Sequence, residues 1–225
     1  MPQNRRGKAI WVNHMPYPAS QIPFDPRDFA SDKSLQRVAA FGKGADATTR
    51  QAAIDYVVTA HAFSNDQTTN SLLYEAGLDQ PGRNIAGDIR IGPPAFEQDQ
   101  AWLAGVVFHE LVHSPQYAYY SARGVTGINP NRSETERRMI ALDEYEAYWW
   151  TLKRSSALTL SQVQQSDIRR RANSALIDLD EAKAQGLAQS QRFDAARDEL
   201  IRQYKASLGG PRAAISRRRA SACCA

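Results

Sequence analysis

His109-Glu110-Leu111-Val112-His113 is the part of this sequence whose residue types and spacing could do chemistry. On a helix, residues four apart share a face, about 40° from each other around the axis. Both imidazoles would then reach one metal ion. Zinc accepts nitrogen ligands, takes tetrahedral geometry and leaves room for a water. Glu110 stands beside the pair, where its carboxylate would take a proton from that water. With four histidines in 225 residues, the pattern arises by chance in roughly a few sequences per thousand. Leu103, Val106, Val107 and Leu111 make the surrounding segment strongly apolar, so burial is expected. Two histidines and a glutamate in such a setting are costly unless coordinated or paired. Gly105, one turn before His109, is expected to leave space near the metal.

Two other metal chemistries use the same residues and fail on the rest of the chain. Glu110-x-x-His113 is also half of a di-iron bundle signature, which needs a second Glu-x-x-His. The remaining histidines, His14 and His61, follow Trp11 and Val58 at that spacing instead. An extended three-histidine zinc motif would place Gly at position 116 and His at position 119, where this chain has Gln116 and Tyr119. No histidine follows His113, and no acidic residue lies between Ser114 and Ser133. The third ligand is therefore expected to be a carboxylate further on, with Asp143, Glu144 and Glu146 as the choices.

These residues resemble the gluzincin metallopeptidases, the group that includes thermolysin. There HExxH is followed, on a later helix, by a glutamate ligand with a small residue three positions on. Glu144-Tyr145-Glu146-Ala147 matches that second element. The resemblance spans roughly residues 85–153 and implies a Zn2+-dependent peptidase acting on a peptide or protein substrate. His109, His113 and Glu144 would be the ligands and Glu110 the general base. Thirty residues separate His113 from Glu144, more than in thermolysin, and position 148 is Tyr where thermolysin has aspartate. The compact layout is also similar to small bacterial metallopeptidase toxins and effectors. The resemblance makes the strand near residues 85–92 the edge that takes an extended substrate, and an exposed edge does offer unpaired N–H and C=O groups. Tyr117, Tyr119 and Tyr120 are candidates for stabilising a developing oxyanion. Helical geometry adds a reason to prefer Glu144. The small Ala141 and Ala147 flank it one turn on either side and allow close approach, whereas Glu146 shares its face with Met139, Leu142, Trp149 and Trp150.

The elements that would position these residues give an α+β, mainly helical fold with a zincin-like core, a short edge strand and a C-terminal helical hairpin. A Pro-rich arm occupies 1–45, the catalytic domain 46–155, the hairpin 156–208 and a disordered basic tail 209–225. A helix is expected from Asp46 to about His61. The sequence IAGDIRIG over 85–92 alternates as one half-buried strand, with Ile85, Ile89 and Ile91 on one parity. The HExxH helix begins near Asp99 and ends or kinks at Pro115, which has no N–H to donate. A loop rich in tyrosine and glycine follows. Ser133 with Glu136 three positions later forms a capping box and opens a helix reaching Lys153. Residues 160–208 read as two helical stretches broken around Gly186, the second carrying Phe193, Ala196, Leu200 and Tyr204 as one apolar stripe. Trp149 and Trp150 read as core, and His61 as an ordinary histidine.

Composition bounds the setting. Hydrophobic residues at 42% and charged residues at 23% are ordinary globular values. No apolar run is long enough for a membrane span, and the proline-bearing N-terminus reads as no Sec signal. Cys223 and Cys224 are adjacent and cannot staple a fold. Cytoplasmic synthesis is expected, with export left to a route needing no N-terminal signal. The net charge of +4 owes much to Arg212, Arg217, Arg218 and Arg219. Such a tail could attract nucleic acid, but a solvated end is the reading taken. The rival function from another class is a non-enzymatic interaction protein holding a structural zinc.

Overall fold

The computed structural model describes residues 40–41, 44–63, 68–179 and 192–208. The expected basic tail, the break at Gly186 and nearly all of the Pro-rich arm lie outside the described residues. Helix α1 spans Ala47–Ala60, followed by strands β1 (Ser71–Tyr74), β2 (Gly82–Ile85) and β3 (Asp88–Ile91). Helices α2 (Gln100–Ala122), α3 (Glu134–Lys153), α4 (Gln162–Ala175) and α5 (Phe193–Leu208) complete the described elements. The mainly helical α+β class is as expected, and no described helix is long and apolar enough to cross a membrane. Two compact units divide the chain. One joins residues up to Tyr119 to Ala147–Arg171, and the other joins Tyr120–Glu146 to the residues from Ala172 onward.

In the first unit, α1 starts where Asp46 caps it, its carboxylate accepting from the Thr49 N–H at 2.7 Å. Ile54, Val57 and Val58 face a core shared with Leu72, Ile89 and Ile91 of the sheet and Leu103, Val107 and Leu111 of α2. The sheet order is β1-β3-β2, with β1 parallel and β2 antiparallel to β3. This corrects the single strand expected over residues 85–92. Ala86 and Gly87 both have positive φ, 53° and 93°, the signature of a two-residue primed turn. The alternation of isoleucines therefore runs across a hairpin. Ile85 ends β2 and is 58% exposed, while Ile89 and Ile91 are fully buried in β3. β3 is the central strand, so the edges are β1 and β2. Gln51 of α1 occupies β1, accepting from the Tyr74 N–H at 2.7 Å and donating to the Leu72 carbonyl at 3.3 Å.

A buried polar cluster ties the hairpin to α2. The Asn84 amide donates to the Glu110 carbonyl at 2.7 Å and to Ser114 Oγ at 2.8 Å, and its oxygen accepts from the Gly87 N–H at 2.9 Å. Thr69 adds a hydroxyl bond to Ser114 at 3.0 Å. Every member is buried, so leaving any of these groups unmatched would carry a desolvation penalty. The cluster grips the HExxH helix at the turn between Glu110 and Ser114.

α2 departs from expectation at its C-terminal end. It passes through Pro115 and continues to Ala122, so residues 116–122 are helix rather than loop. Proline removes one N–H, but Gln116 and Tyr120 are only 4% and 2% exposed. Burying that face outweighs the single lost bond, as tertiary packing commonly does. Gly105 also differs. A Cβ there would meet Leu160 at 3.3 Å and Thr151 at 3.9 Å, so the missing side chain admits packing neighbours. Trp149 and Trp150 are half-buried and meet edge to face at 4.7 Å. His61 stacks on Phe63.

In the second unit, α3 begins as expected. Ser133 Oγ accepts from the Glu136 N–H at 3.1 Å and donates to the Glu136 carboxylate at 2.9 Å. That carboxylate also accepts from the Asn129 N–H at 3.1 Å, which ties the preceding loop to the helix start. α5 buries Phe193, Leu200 and Ile201 together with Arg197, which is only 2% exposed.

Candidate metal centre

The HExxH helix presents His109 and His113 one turn apart, and their Nε2 atoms lie 3.2 Å from each other. Two nitrogens at about 2.0–2.1 Å from one tetrahedral zinc stand roughly 3.3–3.4 Å apart. The observed separation fits two ligands of a common ion. His113 is buried and its Nδ1 lies 2.7 Å from Gln116 Oε1. With Nδ1–H donating to that oxygen, Nε2 keeps its lone pair for a metal, the arrangement that ligating histidines usually have. His109 is half-buried, and the Tyr148 ring lies against it with centroids 4.4 Å apart. The Tyr148 hydroxyl interacts in turn with the Arg171 guanidinium.

The third member is Glu144. One donor atom from each of His109, His113 and Glu144 falls within 4.8 Å of the other two. Ala141 and Ala147 beside it on α3 are 7% and 0% exposed. The two rival carboxylates are engaged elsewhere. Asp143 accepts from Arg197 Nε at 2.9 Å, and Glu146 forms an ion pair with Arg197 Nη2. Imidazole, imidazole and carboxylate form a donor set suited to zinc, so the chemistry of the residues fits the group their spacing implies.

Glu110 is 7% exposed and lies against the backbone of β2. A Cβ built on Gly82 would fall 2.6 Å from Glu110 Oε1 and 2.7 Å from its Cγ. The glycine at the start of this edge strand is what leaves room for the carboxylate. The tyrosine candidates scatter. Tyr117 is 40% exposed and Tyr119 half-buried. Tyr120 is buried, with its hydroxyl 3.3 Å from Asp143 Oδ1. Burial, then the Asp143 charge, pushes that phenol's pKa well above its ordinary value. Tyr148, not among those candidates, is in ring contact with His109.

Four contributors were missed from sequence. Gln116 sits three residues after His113, at helical spacing, but the expectation of a loop after Pro115 hid that relation. Gly82 and Asn84 fell in a segment read as loop. Arg197 stands in the apolar stripe of α5, four residues after Phe193 and three before Leu200. A cation on such a face signals a buried partner. Comparison of this chain with protein-family models, curated proteins and solved structures finds no match.

Proposed function

We propose that this protein is a zinc-dependent metallopeptidase with His109, His113 and Glu144 as ligands and Glu110 as general base. The observation that carries this reading is the convergence of two imidazole nitrogens and one carboxylate, with a buried glutamate next in sequence to the first histidine. Zinc held by these residues would supply Lewis acidity to a water and to a substrate carbonyl. Glu110 removes a proton from the attacking water and delivers it to the departing amine nitrogen as the C–N bond breaks. β2, the edge strand whose Gly82 abuts Glu110, is where an extended substrate would add its backbone.

A non-enzymatic protein with a structural zinc is the alternative. Structural sites take four protein donors, whereas catalytic sites take three and keep one position open. The group among the described residues offers three, and both His109 and Glu144 are half-buried rather than sealed. That favours the enzyme. Elemental analysis of purified protein tests the metal directly. One zinc per chain is expected, lost by chelation and by Glu144→Ala, with peptide cleavage lost in step. A chain that purifies and reconstitutes without zinc would end this reading.

A further inference from the structure

Arg197 is the most deeply buried charged side chain among the described residues whose exposure bears on α3, and it lies at 2%. Its guanidinium forms a fork on α3. Nε donates to Asp143 Oδ1 at 2.9 Å, Nη2 pairs with Glu146, and Nη1 donates to Asp194 Oδ1 at 2.8 Å within α5. The Tyr120 hydroxyl also reaches Asp143 Oδ1 at 3.3 Å. Burial opposes the charge on Arg197, but Asp143 and then Glu146 more than offset it, so the guanidinium stays protonated.

The two carboxylates gripped by Arg197 flank Glu144 in sequence. At about 100° per residue, Asp143 and Glu146 lie some 60° apart around α3, and Glu144 points about 130° away from the direction midway between them. A guanidinium fixed on that pair therefore sets the rotation of α3 about its axis. It also ties up two of the three carboxylates that stand within four consecutive residues. Lysine could neutralise the charge, but only a planar fork engages two carboxylates at set angles.

We infer that Arg197 is a positioning residue for the metal centre: by gripping Asp143 and Glu146 it holds α3 in the rotation that presents Glu144, alone of the three acids, as a ligand. This rests on the metal-site reading above, and the test separates the two. Zinc affinity is measured by competition with a chromophoric chelator for the full chain and for Arg197→Lys, alongside the melting temperature of each zinc-free protein. The Co2+-substituted forms are compared by visible absorption, which reports the ligand geometry and does not respond to global stability alone. Loss of an orienting partner typically weakens metal affinity by about 10–100-fold. That loss is expected for Arg197→Lys, with an altered Co2+ spectrum. Zinc binding within about twofold of the parent and an unchanged spectrum would overturn the inference, whatever happens to the melting temperature. Should Arg197→Lys fail to fold, Asp143→Asn keeps the shape and weakens the same grip. An unchanged affinity and spectrum there would overturn the inference equally, and a weakened one would uphold it. If the parent protein itself binds no zinc, it is the metal-site reading that has failed.

Discussion

Gly82→Ala tests the proposed general base, Glu110, through its seat against β2. The added methyl would sit 2.6 Å from Glu110 Oε1, 2.7 Å from Cγ and 2.9 Å from Cδ, and all three of its nearest neighbours belong to Glu110. Ordinary contact begins near 3.4 Å, so the side chain must retreat by about 0.8 Å or turn to another rotamer. Gly82 does not have the positive φ that only glycine tolerates well, so the strand itself accepts alanine. Misplacing a reacting group by about 1 Å costs on the order of 10²-fold in rate, or roughly 2.7 kcal/mol of transition-state stabilisation. The expected outcome is a kcat/KM lower by about two orders of magnitude on any peptide the parent cleaves. Zinc affinity should stay within about twofold, because the three atoms nearest the new methyl all belong to Glu110 rather than to a proposed ligand. Steady-state kinetics on a fluorogenic peptide, paired with chelator competition for zinc, reads both quantities. Parental kcat/KM in a zinc-loaded Gly82→Ala protein would refute the seating of Glu110 against β2. Loss of zinc instead of turnover would refute the separation of base from ligands.

Two other perturbations address neighbouring parts of the account. Gln116→Ala removes the acceptor 2.7 Å from His113 Nδ1, and zinc affinity measured by chelator competition should fall about 10–100-fold; unchanged affinity would show that this bond does not orient the ring. Asp55 is held above the usual carboxylate range chiefly by burial, partly countered by its bond from Gln51. The folded state thus retains its proton to higher pH than the unfolded chain, and this group's contribution to stability is full below the unfolded pKa and declines as pH rises through the folded one. Asp55→Asn should therefore melt above the parent at pH 7, with the difference vanishing toward pH 3, as thermal scans across that range would show.

Much of the site could be read from local rules. The start of α3 followed from Ser133 and Glu136, because a capping box is set by residues three apart. The choice of Glu144 over its neighbours followed from helical angles and two small flanking residues. What local rules could not supply depended on contacts distant in sequence. Whether Pro115 ends α2 is decided by the burial of Gln116 and Tyr120, which the dipeptide itself does not encode. The hairpin was hidden because Ala86 takes the left-handed conformation that Asn or Asp more often fills, so the isoleucine alternation appeared unbroken. The partner of Asp143 and Glu146 lies more than fifty residues away on α5, beyond any spacing rule.

The central claim is that this protein hydrolyses peptide bonds with zinc held by His109, His113 and Glu144 and with Glu110 as general base. Mass spectrometry of a diverse peptide library incubated with zinc-loaded protein tests it most directly, with Glu110→Gln at the same zinc occupancy in parallel. New peptide termini should appear with the parent, vanish on chelation, and form about 10²–10⁴-fold more slowly with Glu110→Gln. A library left intact by the fully zinc-loaded parent, or cleaved at the parental rate by Glu110→Gln, would contradict it.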